Sequence, residues 1–491
     1  MTTIQPRVEK IKNKRKQTLF RDFLKEIVSR QPIVFYKTDG VVSRFPKTDR
    51  IKSVVKYQDF EKVNEDIFAH GQEYDFNQSF WDNFSSLLQK VSLPSMIHFF
   101  QNENVDYGDV VSKGKNIYLC AYAVNENEDI YYSFGIKDAC KNVFNSALVG
   151  DHSENIAMSC GVMYSYKVFY SRYITNCSDV WFSTNLVGCS HCINCHDLEN
   201  VSYAIGNKVM SKEEYMKQKE VILQQKHNYV SRYKDLPAQP KNIASTNVSG
   251  TFLVESEDVE NGHFAYRLKN GRNVFNVWWF QSNQELYDCV DGGGPTSADM
   301  YGINWFAINS EKCMISCHIP NCNNIYYSYY VESCSYCIGC VWLKNKQFCI
   351  FNKQYTKEEW FVLANKIFAQ MEKEWILGDF FPATLCPFYF NDTIAQIVWD
   401  FDESEIVKDG YLRRQEEVKV DIPTTAAIIK TNDPLLTNYD ESILAKVIQD
   451  SKGNYYRIVK PELDFHARYG LPLSLLHWMD RLKLHFVWWN M

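Results

Sequence analysis

The sequence predicts a mainly β fold with helices: two tandem β-solenoid-like repeat arrays of 12- or 13-residue coils, each ended by a capping helix, plus mixed α/β terminal regions. Three observations predict it. A five-residue pattern recurs at a fixed short step, one array matches a second without a gap, and the same helix-start signature closes both.

The pattern is a polar residue, Ile or Val, usually an aromatic, any residue, then Ser or Cys. Its instances are 116–120, 129–133, 142–146, 155–159, 167–171 and 179–183. Their apolar residues, Ile117, Ile130, Val143, Ile156, Val168 and Val180, are separated by 13, 13, 13, 12 and 12 residues, and a further step reaches Ile193. A unit this short cannot hold a helical hairpin. It suffices for one or two short strands with turns, and the Ile, Val, Tyr and Phe content suits strands with one buried face. The six aliphatic residues are expected to form one buried column, with the preceding Asn or Asp at a coil corner. A flattened β-solenoid is the predicted shape.

Residues 177–215 align on 322–360 at a constant offset of 145. Cys177, Ser183, Cys189, Cys192, Cys195, Asn207 and Lys208 fall on Cys322, Ser328, Cys334, Cys337, Cys340, Asn352 and Lys353. Upstream, 142–144 matches 273–275 at an offset of 131, so the second copy carries 14 extra residues, assigned to the Asp291-Gly-Gly-Gly-Pro295 segment. Ser211 with Glu214, and Thr356 with Glu359, have the spacing of capping boxes and predict helices running to about Gln225 and Trp375. Such helices would cover the exposed last coil.

The resulting division is a basic N-terminal helix (1–30), an α/β region (31–112), a first array with its cap (113–226), a linker with weak repeats (227–271), a second array with its cap (272–376) and a C-terminal α/β region (377–491). Leu19, Phe20, Phe23, Leu24 and Ile27 form the apolar stripe of the helix expected over 7–30, and residues 79–91 predict another amphipathic helix. The chain ends in the apolar run His485-Phe-Val-Trp-Trp489, a docking surface if exposed and core if buried.

A net charge of -6 gives no global attraction to nucleic acid, although nine Lys or Arg against three acids within residues 1–30 offer a local basic arm. No stretch is long and apolar enough to cross a bilayer, and a cytoplasmic protein is expected, whose sixteen cysteines stay reduced. In that setting cysteine serves metal ligation or packing. The sharpest candidates are Cys189, Cys192 and Cys195 with His191 and His196 nearby, and Cys334, Cys337 and Cys340. With His191, His196 or Cys177 as a fourth ligand the first cluster could hold zinc, the one cofactor the sequence suggests. Ferredoxin-type ligation is excluded, because Glu199 and Lys344 stand where a fourth cysteine is required. Against metal, Cys120 takes the place of Ser in the repeat, which makes these thiols small interior residues. Gly292-Gly-Gly294 lacks a P-loop ending. Asp288, Asp291 and Asp299 around it are the carboxylates closest to a catalytic arrangement, and Tyr132, Tyr170, Phe182 and Tyr327 could make an outward stacking face for bases or sugars.

At the run 350–359, preceded by the Cys-x-x-Cys-x-x-Cys spacing, the chain resembles a group of cysteine-rich repeat proteins common in candidate-phyla bacteria, and Arg457-Ile458, Glu462-Leu463, Leu471-Pro-Leu473, His477 and Arg481 are similar to that group's ending. The resemblance covers most of the chain from residue 75. The group carries extra cysteine pairs resembling zinc knuckles in its terminal sections; here residues 1–119 and 387–491 contain no cysteine. It implies no activity. The sequence thus favours a non-catalytic scaffold docking onto protein or nucleic acid in a larger assembly, with a zinc-binding, nucleic-acid-associated factor or metal-dependent enzyme as the alternative.

Overall fold

In the computed structural model every third backbone position from Asn104 to Asn207 is left-handed, whether Asn, Asp, Tyr, Phe, Lys or Gly. The structure describes residues 4–63, 70–237, 240–260, 301–304, 309–415 and 424–486, with shorter stretches between 262 and 290 and residue 422. The residue after each left-handed corner points inward. Four such steps make a 12-residue coil, so the coil is four-sided rather than flattened. The 13-residue coils add one left-handed residue, giving the pairs Asn125-Glu126, Asp138-Ala139 and Asp151-His152.

Parallel pairing stacks equivalent residues. Ile117, Ile130, Val143, Ile156, Val168, Val180, Cys192 and Ala204 form one register, each at most 1% exposed. The expected column therefore exists, with one correction. Once the coils shorten to 12 residues the column continues into Cys192, and Ile193 pairs with Trp181 on the outer face. The opposite side stacks Ala123, Ile136, Val149, Val162, Ile174, Leu186 and Leu198.

The two sides between hold Ser, Cys and Asn. Ser146, Ser159, Ser171 and Ser183 each donate to the carbonyl two residues back. Each also accepts the backbone N–H of the next coil, as Ser159 does from Ser171 at 3.1 Å. Cysteine fills the same role: the Cys189 N–H donates to Cys177 Sγ at 3.2 Å. A left-handed corner costs an ordinary residue about 1–2 kcal/mol, and this paired, apolar lumen is what offsets it.

The chain divides into two units, Met1–Met96 with Lys241–Gln415 and Ile97–Pro240 with Glu416–Met491. The second unit holds a seventeen-stranded sheet running from His98–Phe99 to Lys208–Val209. Its outer aromatics Tyr131, Phe144, Phe169, Trp181 and Phe182 lie under the helices Lys212–Leu223, Tyr229–Lys234 and Lys460–Tyr469. Tyr132, Tyr170 and Phe182 are 3%, 3% and 1% exposed, so the expected outward stacking face is interior packing. His485 and Phe486 are buried as well; residues 487–489 lie outside the described residues.

The first unit repeats the three-residue corner step from Asn309 to Phe351. Strands Tyr301–Asn304, Glu311–Cys317, Asn323–Tyr326, Ser335–Ile338 and Gln347–Ile350 pair in parallel. Coil pairing is already present at Gly250–Val254 with Gly262–Tyr266, inside the 227–271 segment read from the sequence as a linker with weak repeats. The outer Tyr327, fully buried, accepts the Gly378 N–H and packs on Phe80 of the helix Phe80–Leu88, which Ser79 caps. The single helix expected over 7–30 is two, Gln5–Arg15 and Phe20–Glu26, interrupted where Leu19 is extended. Leu19 is 65% exposed while Phe23, Leu24 and Ile27 are fully buried, so the stripe holds only beyond the break. Several of its cations bind acids of the same unit: Arg15 to Asp288 and Glu26, Lys14 to Asp379, and Arg7 and Lys10 to Glu372.

Candidate functional site

Because inward positions recur every third residue, the spacing Cys189-x-x-Cys192-x-x-Cys195 places three thiols on three successive sides of one coil. All three are at most 1% exposed, and Cys334, Cys337 and Cys340 are at most 3% exposed. The motif is thus first a consequence of coil geometry.

Each of these thiols donates to the carbonyl two residues back, Cys177 to Thr175 at 3.1 Å, Cys189 to Val187 at 3.4 Å, Cys192 to Ser190 at 3.6 Å and Cys195 to Ile193 at 3.3 Å, and neighbouring thiols shift one another's titration. The neighbouring Cys177 and Cys192 hold the Cys189 thiol well below its ordinary range, and Cys189 and Cys195 push the Cys192 thiol far up. In the first unit Cys334, Cys340 and Cys349 likewise raise the Cys337 thiol, which donates to the Ser335 carbonyl at 3.6 Å. Cys334, beside Cys337 and accepting the Lys346 N–H at 3.3 Å, is lowered. It donates to the Glu332 carbonyl at 3.2 Å.

His191 is not with them. It sits at a left-handed corner and points out of the coil, its Nδ1 2.8 Å from Asp179 Oδ2 and its ring stacked on Tyr203 at 4.7 Å. Lys219 of the cap helix binds the same Asp179, whose carboxyl stays below its usual range although burial opposes this. At the 145-residue offset Tyr336 stacks on Phe348 at 5.0 Å and meets Trp360, as His191 stacks on Tyr203 and meets Tyr215. His191 therefore serves as one ring of the aromatic contact that seats the cap helix. His196 is half exposed and faces Asp197. Among the described residues no group of three or more His, Cys, Asp or Glu is arranged to hold a metal ion.

Asp288 is fully buried against Arg15; burial raises its carboxyl to about 6 and the guanidinium opposes this. Asp291, Gly292 to Gly294 and Asp299 lie outside the described residues. A cavity of about 30 Å³ lined in part by Arg30, Cys317 and Tyr329 has room for about one water and none for a substrate. Among the described residues no helix is long and apolar enough to cross a membrane.

Sequence reasoning already set Cys177 one coil from Cys189, twelve residues away, and the duplication repeats the set as Cys322, Cys334, Cys337 and Cys340; the Cys189 N–H on Cys177 Sγ bears this stacking out. What it missed is that His191 points out of the coil, away from the thiols. No family model, curated protein or solved structure matches the chain.

Proposed function

We propose that the chain is a non-catalytic scaffold, two copies of one solenoid array that dock onto a partner within a larger assembly in a reducing compartment. The duplication is supported by three devices shared at the 145-residue offset: the inward cysteines at 189, 192 and 195 and at 334, 337 and 340, the ring pair under the cap helix, and an asparagine that closes the last coil. Asn207 hydrogen-bonds the backbone N–H and C=O of His196, and Asn352 does the same for Val341.

One observation carries the docking reading. In the second unit, one side of the coil stays outside the helical cover and presents a charge ladder Glu103, Lys115, Glu128, Lys141, with salt bridges of 3.7, 3.9 and 3.1 Å. Such pairs contribute little to stability, so a regular row of them is better suited to reading a partner's charges. Alternating signs favour a protein over a polyanion. Lys115→Glu with Lys141→Glu should leave melting nearly unchanged and abolish the crosslink to a stoichiometric partner in the source cells. An unchanged crosslinking pattern refutes the reading.

A further inference from the structure

The cavity of about 30 Å³ in the first unit has Arg30, Cys317 and Tyr329 in its wall among apolar side chains, and none of its lining residues is acidic. Arg30 is 3% exposed and spends four of its five N–H donors, one on the Glu26 carbonyl, one on the Tyr329 hydroxyl at 2.6 Å and one each on the Phe381 and Pro382 carbonyls. Its remaining N–H is on Nη1, the nitrogen that meets Tyr329. Among the described residues no carboxylate pairs with it; Glu26, one turn back, pairs with Arg15 instead. A buried cation without a counter-charge is costly. Arg44, fully buried, lies over the lining rings of Phe45 and Phe388 at 5.4 and 5.1 Å, which adds a second guanidinium to the same surroundings.

The hydroxyl and the thiol deepen this imbalance. A guanidinium only donates, so the Tyr329 oxygen accepts from Arg30 and its own O–H is left to place. Cys317 stands beside Tyr329 in the coil pairing. Among the described residues neither the Tyr329 O–H nor the Cys317 S–H has a carbonyl or carboxylate acceptor, and were one to donate to the other, one hydrogen would still be left over. The wall thus holds positive charge and surplus donors, with acceptors in short supply. A water would bring two further hydrogens to it. An anion only accepts.

We propose that this cavity is a binding site for one small monovalent anion of the halide class, the counter-ion of Arg30, which takes hydrogen bonds from Arg30 Nη1 and from the Tyr329 hydroxyl or the Cys317 thiol. Room for about one water suits a monatomic ion rather than an oxyanion. The site does not depend on the scaffold reading.

The test follows thermal melting of the full, reduced chain at constant ionic strength while chloride or bromide replaces gluconate, an anion too large to enter. Melting of the native protein should shift upward as halide replaces gluconate, because a ligand held only by the folded state stabilises it. Crystals grown in bromide should show its anomalous signal beside Arg30 and Tyr329. Arg30→Met should lose the halide response, and since it also removes four buried hydrogen bonds, Cys317→Val serves as the second variant. Valine stands further along the same column at Val341, so Cys317→Val should melt close to the native protein in gluconate, while its branched side chain fills the cavity and the halide response disappears. Native melting indifferent to halide, an ordered water with no bromide in the cavity, or an undiminished halide response in Cys317→Val would each overturn the proposal.

Discussion

A serine in the lumen satisfies two backbone groups at once. Ser159 Oγ donates to the Ala157 carbonyl at 2.9 Å and accepts the Ser171 N–H at 3.1 Å, deep in a core that water does not reach. Ser159→Ala should therefore cost about 1–3 kcal/mol, the usual penalty for a buried donor left unpaired. Ser159→Cys should cost clearly less, because sulfur occupies this role in Cys177 and Cys195. Chemical denaturation of both variants checks the order, and equal losses would remove the hydrogen-bonding account of the Ser/Cys columns. These columns were legible in the sequence: Cys120 in place of Ser already identified small interior residues. The outward direction of His191 was not, because proximity along the chain to Cys189 and Cys192 says nothing of direction when each corner turns the chain.

The coil is the element that the sequence describes only in part. Asn116, Asp129, Asn142, Asn155 and Asp179 mark one corner per coil, and each is left-handed as expected. The other corners include Leu119, Leu148, Met158, Tyr170 and Phe182, residues whose local preference opposes that conformation. Stacking overrides preference there, so no local signal announces a four-sided coil; only the inward period of three does. The last coil has no successor to accept from or donate to, and an asparagine side chain takes the successor's place. Asn352 is fully buried and makes two such bonds, at 2.9 and 2.8 Å, to Val341. Asn352→Ala should lower stability by about 2–3 kcal/mol and raise hydrogen exchange at the Val341 amide. Unchanged exchange there would show that the cap is dispensable.

At the scale of the whole molecule, the C-terminal segment is fastened to its solenoid by buried polar contacts. Arg481 and Glu462, both fully buried, pair at 2.9 Å, and Arg481 also donates to Asn145 Oδ1 at 2.7 Å. His485 Nε2 meets the Asn145 carbonyl at 2.8 Å and its Nδ1 meets the Tyr233 hydroxyl, while burial drives its pKa down to about 3. Arg481→Met strands a buried carboxylate and should cost about 3–5 kcal/mol, whereas Arg481→Met with Glu462→Met should recover most of it. Equal stability of the single and double variants, measured by denaturant unfolding, would exclude the pair as the fastening.

The sequence by itself determined the repeat, the aliphatic column, the starts at Ser211 and Thr356 of the helices Lys212–Leu223 and Lys357–Lys373, and the cysteine-for-serine exchange. Each of these depends on a residue's own chemistry at a fixed spacing. Only the tertiary structure decided that the coil has four corners, that the aromatic faces are covered, that the N-terminal helix breaks at Leu19 and that His191 turns away from the thiols. Those outcomes depend on which surfaces meet when coils stack and distant segments fold back, and stacking energy outweighs the local preferences that a linear reading can see.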